Sequence, residues 1–452
     1  MMIELPEKVH TIIQTLMDAG YEAYAVGGCV RDSILGRIPD DWDITTSAKP
    51  QEVKSLFRRT IDTGIQHGTV TIMMGKEGFE VTTYRIDGEY EDHRHPKEVL
   101  FTSNLIEDLK RRDFTINAMA YNEVEGLVDA FEGHKDLENG IIRAVGDPKE
   151  RFTEDALRIM RAVRFAAQLG YEIEEQTKQA AIILSVHLKD ISVERIQVEL
   201  VKLLTSKHPE FLKIAYDMDI TKVILPEFDQ MMLTSQNHPH HCYTVGEHTL
   251  KALEQVKITD FEDKKTLKQV RLAILFHDIG KPETKKVDNK GIDHFYGHPE
   301  VSEKIAKKIL QRLHFNNDTI KVVCALVKYH DYKPVPTPQG VRRAIHRIGE
   351  EIFPLLFPVK KADIYAQSDY LREQKLKREE EIAAIYEEIV SQNQCLSIKD
   401  LAITGKDLME LGIKPSKELG DILNMLLDLV LEDPSRNTKE ELILLVKENR
   451  ND

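Results

Sequence analysis

At 452 residues the chain is long enough for about three domains with independent cores, and Lys+Arg 62 against Asp+Glu 76 gives a net charge of −14. An acidic total argues against wholesale coating of nucleic acid, yet it leaves room for a local basic strip that guides RNA. The four cysteines, Cys29, Cys242, Cys324 and Cys395, stand at no disulfide-framework or zinc-knuckle spacing. With no signal-peptide pattern and no apolar run of membrane-spanning length, a cytoplasmic protein with reduced thiols and no membrane partner is expected.

The first 150 residues mix helix and strand. A short helix is predicted to end at Gly20, followed by a strand over 21–26 that Gly27-Gly28 breaks. Further strands are expected over 42–46, 69–74 and 79–85. Gly27-Gly28-Cys29-Val30-Arg31-Asp32, between a strand and a short helix, lets backbone N–H groups of Gly28 approach a phosphate while Arg31 clamps an oxygen. Such a turn is common in α/β proteins and says little alone. In Asp41-Trp42-Asp43-Ile44-Thr45-Thr46 the two aspartates would share one face of a strand, and paired carboxylates relieve their repulsion by holding divalent metal. Two hard cations there would activate an attacking hydroxyl and neutralise a leaving pyrophosphate. A solvated turn rich in Asp is the plain alternative. Glu80, on the later strand, is the candidate third carboxylate. Arg111-Arg112-Asp113-Phe114-Thr115-Ile116-Asn117 puts Asp113 and Asn117 one turn apart at a helix start; the arginines suit triphosphate oxygens, and Asp with Asn suits ribose hydroxyls.

From Thr153 the period turns helical, with helices expected over 154–169, 194–204 and 247–256, so the remainder reads as all-α. At the head of the first of these, Glu154-Asp155-Ala156-Leu157-Arg158 would hold an acceptor and a donor on one helix face. Asp155 would accept from the amino group of C or A, and Arg158 would donate to the neighbouring ring nitrogen. Uracil and guanine present the opposite order and would be refused. Thr153 as N-cap with acids at the positive helix end is the alternative reading. Boundaries are expected near Pro148, over 237–241 and near 372–382, and a loop over 333–340, which carries three prolines.

Leu272-Ala273-Ile274-Leu275-Phe276-His277-Asp278-Ile279-Gly280-Lys281 sets a His-Asp doublet at the end of a buried helix capped by Gly280. With His248 upstream and Asp363 downstream it supplies nitrogens and oxygens for a divalent ion, while His298 and His330 offer a second position.

The Gly-Gly-Cys-Val-Arg-Asp, Asp-Trp-Asp, His67-Gly68-Thr69-Val70-Thr71, Arg-Arg-Asp-Phe-Thr-Ile-Asn-Ala and Glu-Asp-Ala-Leu-Arg motifs occur in order over residues 20–205. Together they closely resemble the bacterial tRNA nucleotidyltransferases of the second class, the CCA-adding enzymes. The resemblance implies an α+β fold: a polymerase-β-like nucleotidyltransferase head (1–150), then an all-α neck that reads the base (151–236), an HD-type metal-binding body (237–370) and a helical tail that grips tRNA (371–452). It implies that Gly28, Arg31 and Arg112 contact the incoming nucleotide, that Asp41 and Asp43 hold Mg2+, and that Asp155 and Arg158 act as a protein template for CTP and ATP. Arg161 and Arg164 match positions that support the base or triphosphate. Glu154 would orient Arg158, a reading that comes from the spacing. Residues 85–96 resemble the loop that switches the pocket from C to A, with His95 where a second arginine is usual. The ordered histidines over about 240–370 resemble the HD-type phosphohydrolases, which implies a second divalent transition metal and phosphatase or cyclic phosphodiesterase chemistry.

The expected reaction is template-independent addition of C, C and A to the 3′ end of tRNA, with pyrophosphate released. An A-adding enzyme is a close neighbour. A poly(A) polymerase shares the head, but those enzymes usually end in a markedly basic extension, unlike residues 445–452. A phosphohydrolase whose head merely binds nucleotide is the rival from another class, and the intact Asp41, Asp43, Asp155 and Arg158 count against it.

Overall fold

The computed structural model describes residues 2–87 and 99–451. They form two compact units, Met1–Pro226 and Glu227–Asp452.

In the first unit the helix Glu7–Asp18 buries Val9, Ile12, Ile13 and Leu16, the i, i+3, i+4, i+7 stripe of an amphipathic helix. A seven-stranded sheet follows, in the spatial order Thr60–Gly64, Thr69–Met74, Glu77–Thr83, Ile44–Thr46, Ala23–Val26, Ala120–Asn122 and Gly126–Val128. Neighbours are antiparallel except Ile44–Thr46, which runs parallel to Glu77–Thr83. Ala23–Val26 is buried at every position, as a continuous apolar run requires. Tyr24, Val26, Tyr84, Leu105, Leu109, Ala118, Ala120 and Val145 form one core cluster. It packs the helix Leu105–Lys110 on the sheet and so holds the segment after it in place.

The predicted strand over 42–46 begins only at Ile44. Asp41 and Asp43 therefore approach the strand instead of lying on it, although the Asp43 carbonyl still accepts the Val26 N–H at 3.0 Å. The expected strand over 79–85 divides into Glu77–Thr83 and a separate ribbon in which Arg85–Asp87 pairs with Val99–Phe101. The predicted switching loop, 85–96, lies outside the described residues from position 88 on. Asp113 and Asn117 do not open an α-helix; Asn117 ends the 3-10 turn Thr115–Asn117.

The expected continuous helix over 154–169 is two helices, Pro148–Glu154 and Leu157–Leu169, with Asp155 extended between them at φ −143°, ψ 101°. The Asp155 carboxylate accepts the Leu157 N–H at 3.1 Å and its carbonyl accepts the Arg158 N–H at 3.0 Å. A short acidic side chain has taken a donor that helix continuation would need. Thr153 lies inside the preceding helix, Pro148–Glu154, and not at a helix start. The stretch expected to be all-α also carries a strand, Glu172–Ile173, which pairs in parallel with Ile141–Ile142 of the head, and a short hairpin, Lys286–Val287 with Asp293–His294.

The second unit is otherwise helical. Val245–Gln255 opens with a capping box between Thr244 and Glu247, which satisfies two orphan backbone donors. Lys264–Phe276, His298–Arg312, Asn317–Tyr329 and Leu356–Ala366 follow. Gly280 is not the left-handed cap expected of it: its φ is −86°. It is needed for space, since a Cβ would meet Ser302 N at 2.6 Å and His298 O at 2.9 Å. Pro338 opens the helix Pro338–Ile348 at the position where a missing N–H costs nothing, so the proline-rich loop is shorter than expected. Arg342 ties this helix to another, donating to the Leu431 and Glu432 carbonyls at 2.7 and 2.9 Å. No described helix is long and apolar enough to cross a membrane.

Candidate active site and metal centre

Gly27, at φ +84°, turns the chain out of the central strand; a Cβ there would come within 2.9 Å of Arg112 Nη1. The glycine is favoured by its positive φ, and a side chain there would also press on the Arg112 guanidinium. Gly28 starts the helix Gly28–Ile34, which carries Arg31. Arg31 Nη1 donates to Asn117 Oδ1 at 2.7 Å, and Asn117 Nδ2 donates to Asp113 Oδ1 at 3.2 Å. Asp113 Oδ2 accepts from Arg161 Nε at 2.7 Å. Phe165 lies beneath this network, with the guanidinium carbons of Arg31, Arg161 and Arg164 at 5.1, 5.3 and 3.7 Å from its ring centroid. Arg164 also pairs with Glu199 at 2.5 Å. Burial alone would raise Asp113, but the positive charges of Arg161 and Arg158 outweigh it and hold the carboxyl down at about 2. Five of the expected residues, Arg31, Asp113, Asn117, Arg161 and Arg164, thus meet in one connected surface of guanidinium, carboxylate and amide around Phe165.

Arg158 donates to Glu154 Oε2 at 2.6 Å and to the carbonyls of Arg151 and Arg111 at 3.1 and 2.9 Å. Arg151 pairs with the other Glu154 oxygen. Glu154 orients Arg158, as the spacing led one to expect, although the two stand on different helices. Asp155 Oδ2 meets Arg195 Nη2 at 2.7 Å.

Asp41, Asp43 and Glu80 are joined by charge. Desolvation raises the Asp43 carboxyl, Arg112 opposes the rise, and the charges of Asp41 and Glu80 add to it. The three carboxylates are not among the groups whose ligand atoms all lie within 4.8 Å of one another; among the described residues those groups are His248, His277 and Asp363, and Asp278, His298 and His330.

The family described as "Poly A polymerase head domain" matches residues 23–143, "Probable RNA and SrmB- binding site of polymerase A" matches 170–232, and "tRNA nucleotidyltransferase domain 2 putative" matches 293–446. The chain is 36% identical over 439 residues to the CCA-adding enzyme of Lactobacillus helveticus, covering 96% of this chain and 95% of that one. It is 37% identical over 452 residues to that of Levilactobacillus brevis, covering 97% of each. The chain belongs to the CCA-adding enzymes. A solved structure of the Bacillus stearothermophilus CCA-adding enzyme in complex with CTP matches with a TM-score of 0.74 at 27% identity, over 99% of both chains. The Thermotoga maritima CCA-adding enzyme complexed with tRNA shares the fold, with a TM-score of 0.59 over 98% of this chain and 96% of that one, at 20% identity.

Reading this CCA-adding enzyme from its sequence overlooks Arg195, Glu199 and Arg151. Arg195 and Glu199 stand four apart on the helix Val193–Leu204, which looks like an ordinary surface pair. In the fold each reaches back to the Asp155–Arg164 region instead.

The second unit of this family member gathers the other expected ligands. His248 Nε2 and His277 Nε2 lie 3.2 Å apart, with Asp363 Oδ1 at 2.9 Å from the first and 3.8 Å from the second. His298 Nε2 and His330 Nε2 also lie 3.2 Å apart. Asp278 spans the two groups: Oδ2 is 3.2 Å from His277, and Oδ1 is 3.3 Å from His298 and 3.7 Å from His330. Each imidazole turns Nδ1 to a backbone carbonyl, of Ala366, Ile274, Phe295 and Val327 at 3.3, 2.7, 2.9 and 2.6 Å. Donation by Nδ1–H leaves an acceptor lone pair on every Nε2, and two such lone pairs facing at 3.2 Å call for a shared proton or a cation. Burial would lower His277, but the charge of Asp278 outweighs it and raises the imidazole. His330 goes the other way, to about 4, because burial and the neighbouring His277 both disfavour its charge. Lys281 Nζ sits 2.7 Å from Asp278 Oδ2, and His241 packs edge-on to His248 with ring centroids 5.6 Å apart. Neither was singled out from the sequence.

Proposed function

We propose that this chain adds C, C and A to the 3′ end of tRNA, taking CTP and ATP as substrates and releasing pyrophosphate in the cytoplasm. The Asp155–Arg158 pair carries the reading. An acceptor and a donor held by separate partners, Arg195 and Glu154, present the pattern that C and A complete and that U and G oppose. A nucleic-acid template is then unnecessary.

Asp41, Asp43 and Glu80 are hard oxygen donors whose mutual repulsion suits Mg2+. When bound, the metal supplies Lewis acidity at the α-phosphate and a more acidic attacking hydroxyl. Gly27 and Gly28 give the triphosphate room near Arg31 and Arg112, which neutralise it; Asp113 and Asn117 orient the ribose, and Arg161 and Arg164 keep the pocket positively charged. The 3′ oxygen of tRNA gives up its proton and bonds to the α-phosphorus as the bridging P–O bond to the β-phosphate breaks. Of the division into head (1–150), neck (151–236), body (237–370) and tail (371–452), the family matches over 23–143 and 170–232 support the first two parts, while the match over 293–446 spans both body and tail.

Primer extension with magnesium tests this, on tRNAs ending in the discriminator base, in C or in CC, each with the four nucleoside triphosphates. Ordered addition of C, C and A to all three is expected, and Asp41→Ala abolishes it while tRNA binding persists. Addition of A alone to the CC-ended tRNA would instead make the chain an A-adding enzyme.

A second activity, metal-dependent phosphohydrolysis in the second unit, is favoured by the two facing Nε2 pairs bridged by Asp278. His248, His277 and Asp363 would hold one divalent ion and Asp278, His298 and His330 another. Imidazole-rich donor sets suit transition metals better than magnesium.

A further inference from the structure

A carboxylate and an aromatic ring attract a guanidinium in different ways. The carboxylate accepts N–H groups in the guanidinium plane and cancels the charge, whereas the face of a ring attracts the cation through its quadrupole and leaves the charge whole. A pocket that must hold arginines against their mutual repulsion and still present them to a triphosphate needs partners of the second kind.

Phe165 is placed to be one. It is 5% exposed on the helix Leu157–Leu169, four residues after Arg161 and so on the same helix face, and it follows Arg164 directly. Arg31 reaches it from the helix Gly28–Ile34 of the head. All three guanidinium carbons fall inside the ~6 Å from the ring centroid over which a cation–π contact acts. Each guanidinium also has acceptors of its own. Arg31 donates through Nε and Nη2 to the Asp32 carboxylate, both at 2.9 Å, Arg161 donates to Asp113, and Arg164 Nη1 donates to Gln168 Oε1 at 2.8 Å. Burial pulls Arg164 down to about 10; Glu199 opposes the fall and the charge of Arg161 adds to it, so the group remains a cation at neutral pH beside a like charge. The ring itself is held by Phe114, fully buried next to Asp113, with centroids 5.8 Å apart and an interplanar angle of 80°. This is the edge-on geometry that aromatic pairs prefer. The pair therefore ties the segment that carries Asp113 to the helix that carries Arg161.

We propose that Phe165 is a positioning residue for nucleotide transfer, a shared cation–π post that aligns Arg31, Arg161 and Arg164 toward the incoming nucleoside triphosphate. This rests on the reading of those arginines as nucleotide-binding residues. A leucine at the same place would fill much of the space and carry no quadrupole, leaving the guanidiniums to repel one another.

The test replaces Phe165 in the full chain by mono-, di- and trifluorinated phenylalanine. Fluorine keeps the shape of the ring and withdraws the π density that attracts a cation, so a packing role would not respond to the series. Primer extension with CTP and with ATP should show kcat/KM falling stepwise, by about tenfold in all, and calorimetric Kd for CTP rising in the same order, while KM for tRNA stays constant. Phe165→Leu should lose at least as much, and should it fail to fold, the fluorinated series decides alone. A flat series, or one that moves only KM for tRNA, overturns the post. Arg31→Ala and Arg161→Ala separate the two levels: if they weaken CTP binding while the series is flat, only the role of the ring falls, and if they too leave Kd for CTP unchanged, the nucleotide-binding reading falls with it.

Discussion

Arg195 Nη2 holds Asp155 Oδ2 at 2.7 Å across forty residues of sequence, so the carboxylate we propose to meet a base amino group is positioned from a different helix. Asp155 interrupts helical structure, and without this partner its side chain would be fixed only by its local bond to Leu157. Arg195→Ala is therefore expected to lower kcat/KM for both CTP and ATP by about 10- to 100-fold, the worth of one charged hydrogen bond. Arg195→Lys should recover part of the loss. A purely structural role would show as a lowered melting temperature with an unchanged CTP-to-UTP ratio, and steady-state kinetics on both nucleotides separates the two.

Arg158 is the donor half of the same proposed code. Arg158→Ala should narrow discrimination of CTP against UTP by about 10- to 100-fold, the worth of a good bidentate base contact. Competition assays with mixed nucleotides measure this directly, and unchanged selectivity would refute the protein template.

Asp113 makes a pH prediction whose sign is fixed. Its folded pKa is pushed down to about 2 from 3.8, burial being outweighed by Arg161 and Arg158. A depressed carboxyl contributes stability that is fully present above its unfolded pKa and is lost as pH falls through the folded one, here from about pH 4 to about 2. The contribution is roughly 2 kcal/mol at neutral pH. Urea denaturation should show Asp113→Asn less stable than wild type at pH 7, with the gap narrowing as pH drops from 5 to 3.

Asp278 bridges both ligand groups, so Asp278→Ala should remove more than one ion. Elemental analysis after loading with Mn2+ or Ni2+ is expected to find two ions per chain in wild type and a loss of both in Asp278→Ala, whereas His330→Ala should retain the ion on the other side. CCA addition by the first unit should continue in either variant.

Much of this was legible before any coordinates. The head motifs pointed to Arg31, Asp113 and Asn117 because guanidinium, carboxylate and amide are the groups that handle triphosphate and ribose, and the fold joins them by direct hydrogen bonds. The ordered histidines were legible for the same reason. The break at Asp155 was not, since apolar periodicity runs through it and only a side-chain bond to the Leu157 N–H betrays it. Arg195 and Glu199 were hidden because each is an ordinary helix residue until its distant partner is placed. Gly280 was misread as a helix terminator: a glycine chosen for positive φ and one chosen for close approach look alike in a string of letters.

That last glycine also bears on descent. A methyl group at position 280 would collide with the first turn of the helix that carries His298, at Ser302 N and His298 O. A larger side chain can enter here only if the helix that carries His298 moves away, and that movement would displace a ligand of the second group. In a newly read genome, the letter at this single non-ligand position would then report whether the descendants had kept the placement of that helix.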